Sequence, residues 1–205
     1  AAACVPQCAA GLSASGGSGA SSLAVTCASE ASDLARQPAL IVDLDSAYGS
    51  IGTLLGIDPS YGIADVLSKI GPIDPELVRY TAMAHSELLH VLASPASVSF
   101  SEPPPLSFEN LDGALTAIKQ AYSFTVVDAP RVPMSVAARL AEGSRATLIV
   151  FQIDVVDIRT MRSMLAALGE RRVAHERLIA VANRYHKRGA LSLSDVRDAL
   201  GDVPL

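Results

Sequence analysis

Residues 13–22, SASGGSGASS, set three glycines and five serines directly ahead of a stretch rich in helix formers. Such a run is too glycine-rich for a strand or a helix interior, so the chain must turn there. Glycines let backbone amides converge on an anion, where a β-carbon would obstruct the turn. A helix starting at Ser21 or Ser22 adds its first unpaired N–H groups and the positive end of its dipole. The pattern is that of a phosphate-binding loop on an open parallel sheet, G-x-x-x-x-G-K-[ST]. Its positions read Ala14, Gly19, Ala20 and Ser21. Ala20 stands in the lysine slot, so nucleotide hydrolysis does not follow from the motif. Ser21 keeps the hydroxyl that reaches a magnesium ion. Taken alone, SGGSG also fits an ordinary flexible turn; its place between a strand and a helix favours the phosphate loop.

Apolar runs and helical patterns alternate along the rest of the chain. A weak strand signal at residues 9–13 ends at Leu12 and Ser13. SSLAVTCASEASDLARQ then reads as a helix, with Leu23, Cys27, Ala31 and Leu34 at helical spacing. ALIVDLD, residues 39–45, has the character of a buried parallel strand closing on acids. SAYGSIGTLLGIDPS is a glycine-punctuated connection. Residues 61–80 are expected to hold short helices interrupted at Gly71-Pro72 and at Pro75. A strand follows at 88–92, and the three prolines of SVSFSEPPPLS mark a loop. A helix is predicted over 108–121, with Leu111, Leu115 and Ile118 along one stripe. SFTVVDAP (123–130) is a strand ending in Asp128, and ATLIVFQ (146–152) is another. VVDIRTMRSMLAALG is helical, with Ile158, Met161, Leu165 and Leu168 in phase. LIAVAN (178–183) is the last clear strand, and LSDVRDAL a closing helix. This alternation predicts a single α/β domain over 1–205, a three-layer sandwich with a mostly parallel, doubly wound sheet of the P-loop NTPase kind.

The candidate phosphate-binding residues are Gly16, Gly17, Ser18, Gly19, Ala20, Ser21 and Ser22. Asp43 and Asp45 alternate along their strand and so face the same way, at the carboxyl edge where open α/β sheets build their crevice. Asp128 ends a separate apolar strand, the position of an acid that organises magnesium or water. Ser21, Asp43 and Asp128 form the candidate magnesium set. Each aspartate also fits a helix cap or a strand terminator, and for Asp43 both readings stay open. His85, His90, His175 and His186 show no metal-ligand spacing.

Composition narrows the remaining classes. Half of the 205 residues are apolar, while aromatics are few (five Tyr, four Phe, no Trp), so the core must be aliphatic. A formal charge of -5 gives no bulk attraction for nucleic acid or anionic lipid. The basic clusters, Arg171-Arg172 and residues 184–188, are too short for a nucleic-acid footprint. Three cysteines, Cys4, Cys8 and Cys27, cannot all pair within the chain and fit a reducing compartment. Cys27 reads as a small buried side chain of the first helix. No segment has the length of a membrane span. A start at AAACVPQC in place of methionine suggests a domain cut from a longer protein.

The ordered set GGSGASSLA, IVDLDSAYGSIGTLLGIDP, FTVVDAP and ANRYHKRGALSLSDVRDALG resembles the deviant Walker ATPases of the ParA/MinD type. Within them it is most similar to the CpaE/TadZ subgroup of pilus-assembly proteins. The resemblance runs from about residue 11 to residue 200. It implies a cytoplasmic α/β protein that binds ATP or ADP with Mg2+, forms a homodimer around ATP, and positions machinery at a cell pole or the inner face of the membrane. The implied partners are pilus-assembly or secretion ATPases and membrane-complex proteins, with no direct nucleic acid and no transmembrane segment of its own. In this family the loop typically reads K-G-G-x-G-K-[ST]-[ST]. Ser15 stands where the signature lysine would cross the dimer, and Ala20 where the ordinary loop lysine would be. Loss of the second is familiar in the CpaE/TadZ branch; loss of both is a stronger departure. By the same resemblance Asp45 orients the attacking water, Asp128 is the Walker B acid, Asn183 contacts adenine, and Arg184 helps enclose the base. Asn183 also fits a loop-starting asparagine bonded to its own backbone. The family usually has a receiver-like domain before this one and a further strand and helices after it, which would make this chain an isolated core.

With no cation in either lysine slot, backbone amides can still hold phosphate while the chemistry is slow. The leading expectation is a nucleotide-responsive or degenerate ATPase-like scaffold that organises pilus-assembly or secretion machinery. Two alternatives stand beside it: a slow ATP hydrolase of the ParA/MinD type, and a protein-interaction module without nucleotide.

Overall fold

In the computed structural model, which describes residues 7–46, 49–58, 60–94, 106–186 and 191–205, the apolar runs become seven strands with helices between them. Cys4, the prolines Pro103, Pro104 and Pro105, and Lys187 and Arg188 lie outside the described residues. The chain gathers into two compact units, one built mainly from residues 21–128 and the other from residues 9–20 and 129–205.

In the first unit the strand order is β3 (Met83–Ala84), β4 (Leu89–Leu92), β2 (Ala39–Asp43), β5 (Phe124–Asp128). β2 runs parallel to both neighbours, with Ala39 opposite Leu89 and Phe124 and Asp43 opposite Asp128. All five of its residues are buried, which explains an unbroken apolar run in place of alternation. The two-residue β3 is antiparallel to β4. Helices α1 (Ala20–Ala35), α2 (Ser50–Leu55), α3 (Ile63–Leu67), α4 (Pro75–Thr81) and α5 (Leu111–Ala121) complete the unit. α5 buries Leu111, Leu115 and Ile118, the stripe read from its spacing.

The structure departs from the sequence pattern in α1 and at Pro75. α1 starts at Ala20, one residue before the serines expected to open it. Its buried face is Ala24, Ala28 and Ser32, whereas Leu34 is 85% exposed and Leu23, Cys27 and Ala31 are only half-buried. Alanines four apart share one face, and their small side chains bring the helix close to Ala39, Ile41 and Val91 in one core cluster. Cys27 packs on that cluster from its margin, and burial pushes its thiol upward. Pro75 does not break a helix. It opens α4, with Asp74 as N-cap accepting from the Glu76 N–H at 2.8 Å.

The second unit carries β1 (Gln7–Ser13), β6 (Ala146–Gln152) and β7 (Leu178–Asn183), all parallel, with β6 in the middle. Ser13 pairs with Val150, and Gln152 with Asn183. Its helices are α6 (Met134–Gly143), α7 (Val155–Glu170) and α8 (Leu193–Leu200). Met161, Leu165 and Leu168 are buried on α7 as their spacing predicted, whereas Ile158, expected in the same stripe, is half-buried. A capping box between Ser192 and Asp195 starts α8. Among the described residues no helix is long and apolar enough to cross a membrane.

Candidate functional site

The second unit carries the glycine loop. β1 ends at Ser13, and one more backbone bond, Ala14 N–H to the Val150 carbonyl at 2.9 Å, carries the pairing into the loop. Gly17 and Gly19 hold φ of 80° and 96°, left-handed values that side chains with a β-carbon rarely adopt. Gly16 and Gly17 are exposed, and a β-carbon on either would meet nothing within 4 Å. The loop therefore presents an open backbone face. Gly19 is different: a β-carbon there would sit 2.3 Å from Asn183 Nδ2.

Inside the loop the serines bond to one another. Ser13 Oγ donates to the Ser15 carbonyl and lies 2.7 Å from Ser18 Oγ. Ser13 has a single hydroxyl proton, so Ser18 is the donor in the second bond. Ser18 is almost fully buried. Gln152 Nε2 donates to the Gly17 carbonyl at 3.3 Å, and Asn183 Nδ2 donates to the Ser18 carbonyl at 2.8 Å. Asn183 Oδ1 accepts from the Arg184 N–H at 2.9 Å. Both polar ends of Asn183 thus have partners within the chain. Arg184 is exposed, with φ of 53°. Ala20, buried, is the first residue of α1, followed by half-buried Ser21 and exposed Ser22.

The first unit holds the acids. Asp43, Asp45 and Asp128 are all fully buried. Asp43 and Asp128 sit side by side at the ends of β2 and β5, whereas Asp45 lies two residues beyond the end of β2, in the turn that leads to α2. Asp43 Oδ1 accepts from the Asp45 N–H at 2.8 Å, and its Oδ2 from the Ile51 N–H at 3.0 Å. Asp45 Oδ2 accepts from Ser50 Oγ at 2.8 Å. Burial pushes the Asp43 carboxyl up to about 7; its two backbone donors oppose the shift, and the charges of Asp128 and Asp45 add to it.

These placements bear on the expected ligands. An anion such as a diphosphate can approach the exposed backbone at Gly16 and Gly17, next to the start of α1. Magnesium is usually held by one or two protein oxygens together with phosphates and water; of the three candidates, Ser21 is half-buried at the start of α1 and Asp128 fully buried at the end of β5. Asp43 is less suited, because each of its oxygens already takes a backbone N–H. Among the described residues no three or more His, Cys, Asp or Glu are arranged to hold a metal by themselves. Ser13, Gln152 and Ser50 did not emerge from sequence reasoning, since only strand register and the α2 turn bring them to these positions.

A glycine loop that runs from a parallel strand into a 16-residue helix, with mostly parallel strands ending on buried aspartates, defines a P-loop NTPase-like three-layer α/β sandwich. More narrowly, the chain has the fold of the ParA/MinD-type ATPases. A ParA family ATPase from Chlorobium tepidum TLS matches with a TM-score of 0.85 at 20% identity, over 97% of this chain and 82% of that one. The septum site-determining protein MinD from Pyrococcus horikoshii OT3, solved with Mg-ADP, matches at 0.76 and 18% identity, over 98% and 79%. The MinC:MinD cell division complex of Aquifex aeolicus matches at 0.72 and 23% identity, over 95% and 77%. No protein-family profile and no curated protein matches the sequence.

Proposed function

We propose that this chain is a nucleotide-binding scaffold of the ParA/MinD type, which binds ATP and ADP with magnesium at its glycine loop and turns ATP over slowly. The observation that carries this reading is the glycine loop, exposed at Gly16 and Gly17 and left-handed at Gly17 and Gly19, leading directly into α1. Mg-ADP in the MinD of similar fold supports it. Slow turnover follows from Ser15 and Ala20: losing one preorganised donor to a developing anion costs about 10²–10³ in rate, and here both cationic slots are empty of charge. In this reading Asp45 orients water and Asp128 organises the cation.

The output of such a site is assembly. The MinC:MinD complex supports a role in gathering partner proteins. The sequence resemblance to the CpaE/TadZ subgroup supports pilus-assembly or secretion machinery as the class of partner. Recruitment to a pole or membrane then runs through proteins, because a chain of net charge -5 has little attraction for anionic lipid. Light scattering with and without Mg-ATP tests the coupling. The expected result is a shift from monomer toward dimer mass on adding Mg-ATP. A single monomeric mass in both conditions at high protein concentration contradicts it.

A further inference from the structure

The loop lacks the charge that normally draws phosphate in, yet its backbone is held from three sides by neutral side chains. Ser13 bonds to the Ser15 carbonyl and, across the loop, to the buried Ser18 hydroxyl at 2.7 Å. Gln152, at the end of β6, reaches the Gly17 carbonyl at 3.3 Å. Asn183, at the end of β7, takes the Ser18 carbonyl at 2.8 Å. The holders are themselves fixed. The Gln152 N–H donates to Asp157 Oδ2 at 2.7 Å, and the Asp157 N–H to Asp154 Oδ1 at 2.8 Å, so the helix cap of α7 sets where Gln152 stands. The Arg184 N–H pins Asn183 Oδ1.

Glycines give up more conformational freedom on ordering than any other residue. A loop with three of them and no cation would bind phosphate poorly if binding had to order it. Ordering it in advance removes that cost. We propose that Ser13, Gln152 and Asn183 are positioning residues which lock the lysine-free loop into its phosphate-binding shape before any ligand arrives. The ligand class is a diphosphate group, met at the loop by backbone amides with no lysine beside them. This rests on the nucleotide-binding reading above, and Asn183 serves here as a brace for the loop, where the family resemblance implied a contact to adenine.

Two measurements on the full chain separate the brace from the binding reading. Backbone nitrogen-15 relaxation without nucleotide reports the loop directly: wild-type order parameters at Gly16, Gly17 and Gly19 should be near those of rigid backbone, about 0.85. Ser13→Ala removes both hydroxyl bonds, and these values should fall below about 0.6, while those of the β2 and β6 amides stay unchanged. Ser13→Thr keeps the hydroxyl and should stay near wild type. Titration with pyrophosphate and with Mg-ADP reads the consequence: Ser13→Ala and Asn183→Ala should each bind about tenfold more weakly with the helices retained by circular dichroism, and pyrophosphate alone should compete with Mg-ADP. Wild-type order parameters across the loop in Ser13→Ala overturn the brace, even if Mg-ADP binds. A loosened loop in that variant, with no binding by the wild type, supports the brace and rejects the nucleotide reading.

Discussion

Lysine placed at both Ser15 and Ala20 should raise ATP turnover about 10²–10³-fold over the wild-type chain, measured as phosphate release at saturating Mg-ATP. The proposed reading assigns the rest of the chemistry to the exposed glycines, to the Ser21 hydroxyl at the start of α1, and to the buried Asp45 and Asp128. What the wild-type loop lacks is a positive side chain aimed at the charge that develops on the transferred phosphoryl group. The Ala20 side chain is only 5% exposed, so the lysine stem has to run out along the loop, and an unfolding midpoint near that of wild type must accompany the assay. Asp45→Ala in the lysine-bearing chain should return turnover to baseline. Unchanged turnover with bound nucleotide would mean that the acids are arranged for holding rather than for chemistry.

Asp43 should make the chain less stable as pH rises. In the folded protein its carboxyl keeps its proton up to about pH 7, against 3.8 for an aspartate in the unfolded chain. Between these values the folded state binds a proton that the unfolded state has released, so stability is fully present below about pH 4 and is lost as pH climbs through 7. At 1.36 kcal/mol per pKa unit the loss is on the order of 4 kcal/mol. Urea unfolding at pH 5, 6, 7 and 8 in chelator, which keeps cations off the carboxylates, reads it as a falling midpoint. Asp43→Asn should flatten the slope. It should also lower stability at acid pH by about 1–3 kcal/mol, because one amide oxygen cannot accept from both the Asp45 and Ile51 N–H groups. A wild-type midpoint that is level or rising from pH 5 to 8 would contradict the burial argument.

The sequence exposes those parts of the fold whose periodicity is strong. β6 could be read to its last residue, Gln152, and the α5 stripe to each leucine, because large aliphatic side chains mark both. α1 misled for the same reason: its leucines suggested one face, while close packing on β2 selected Ala24 and Ala28. α6 escaped notice because MSVAARLAEG buries mostly alanine. α2 did so because its six residues contain Gly52 and lie between the left-handed glycines Gly49 and Gly56. At the site, the glycines and strand-end aspartates were legible as residue types in order. Their supports were not. The bond from Gln152 to Gly17 depends on the β1–β6 register, and the second anchor of Asp43, the Ile51 N–H, lies eight residues downstream.

Whether a phosphate loop without lysine still binds nucleotide is tested most directly by calorimetric titration of the chain with Mg-ADP and Mg-ATP. The expected result is saturable heat for the wild type with both ligands. None is expected for Gly19→Val, whose β-carbon would meet Asn183 Nδ2 at 2.3 Å in a backbone held at φ of 96°. Circular dichroism of that variant must show the helices retained, so that the loss reports the loop and not unfolding. No heat from the wild type with either nucleotide, and no competition between them, would contradict nucleotide binding and leave a protein-interaction module on a P-loop fold.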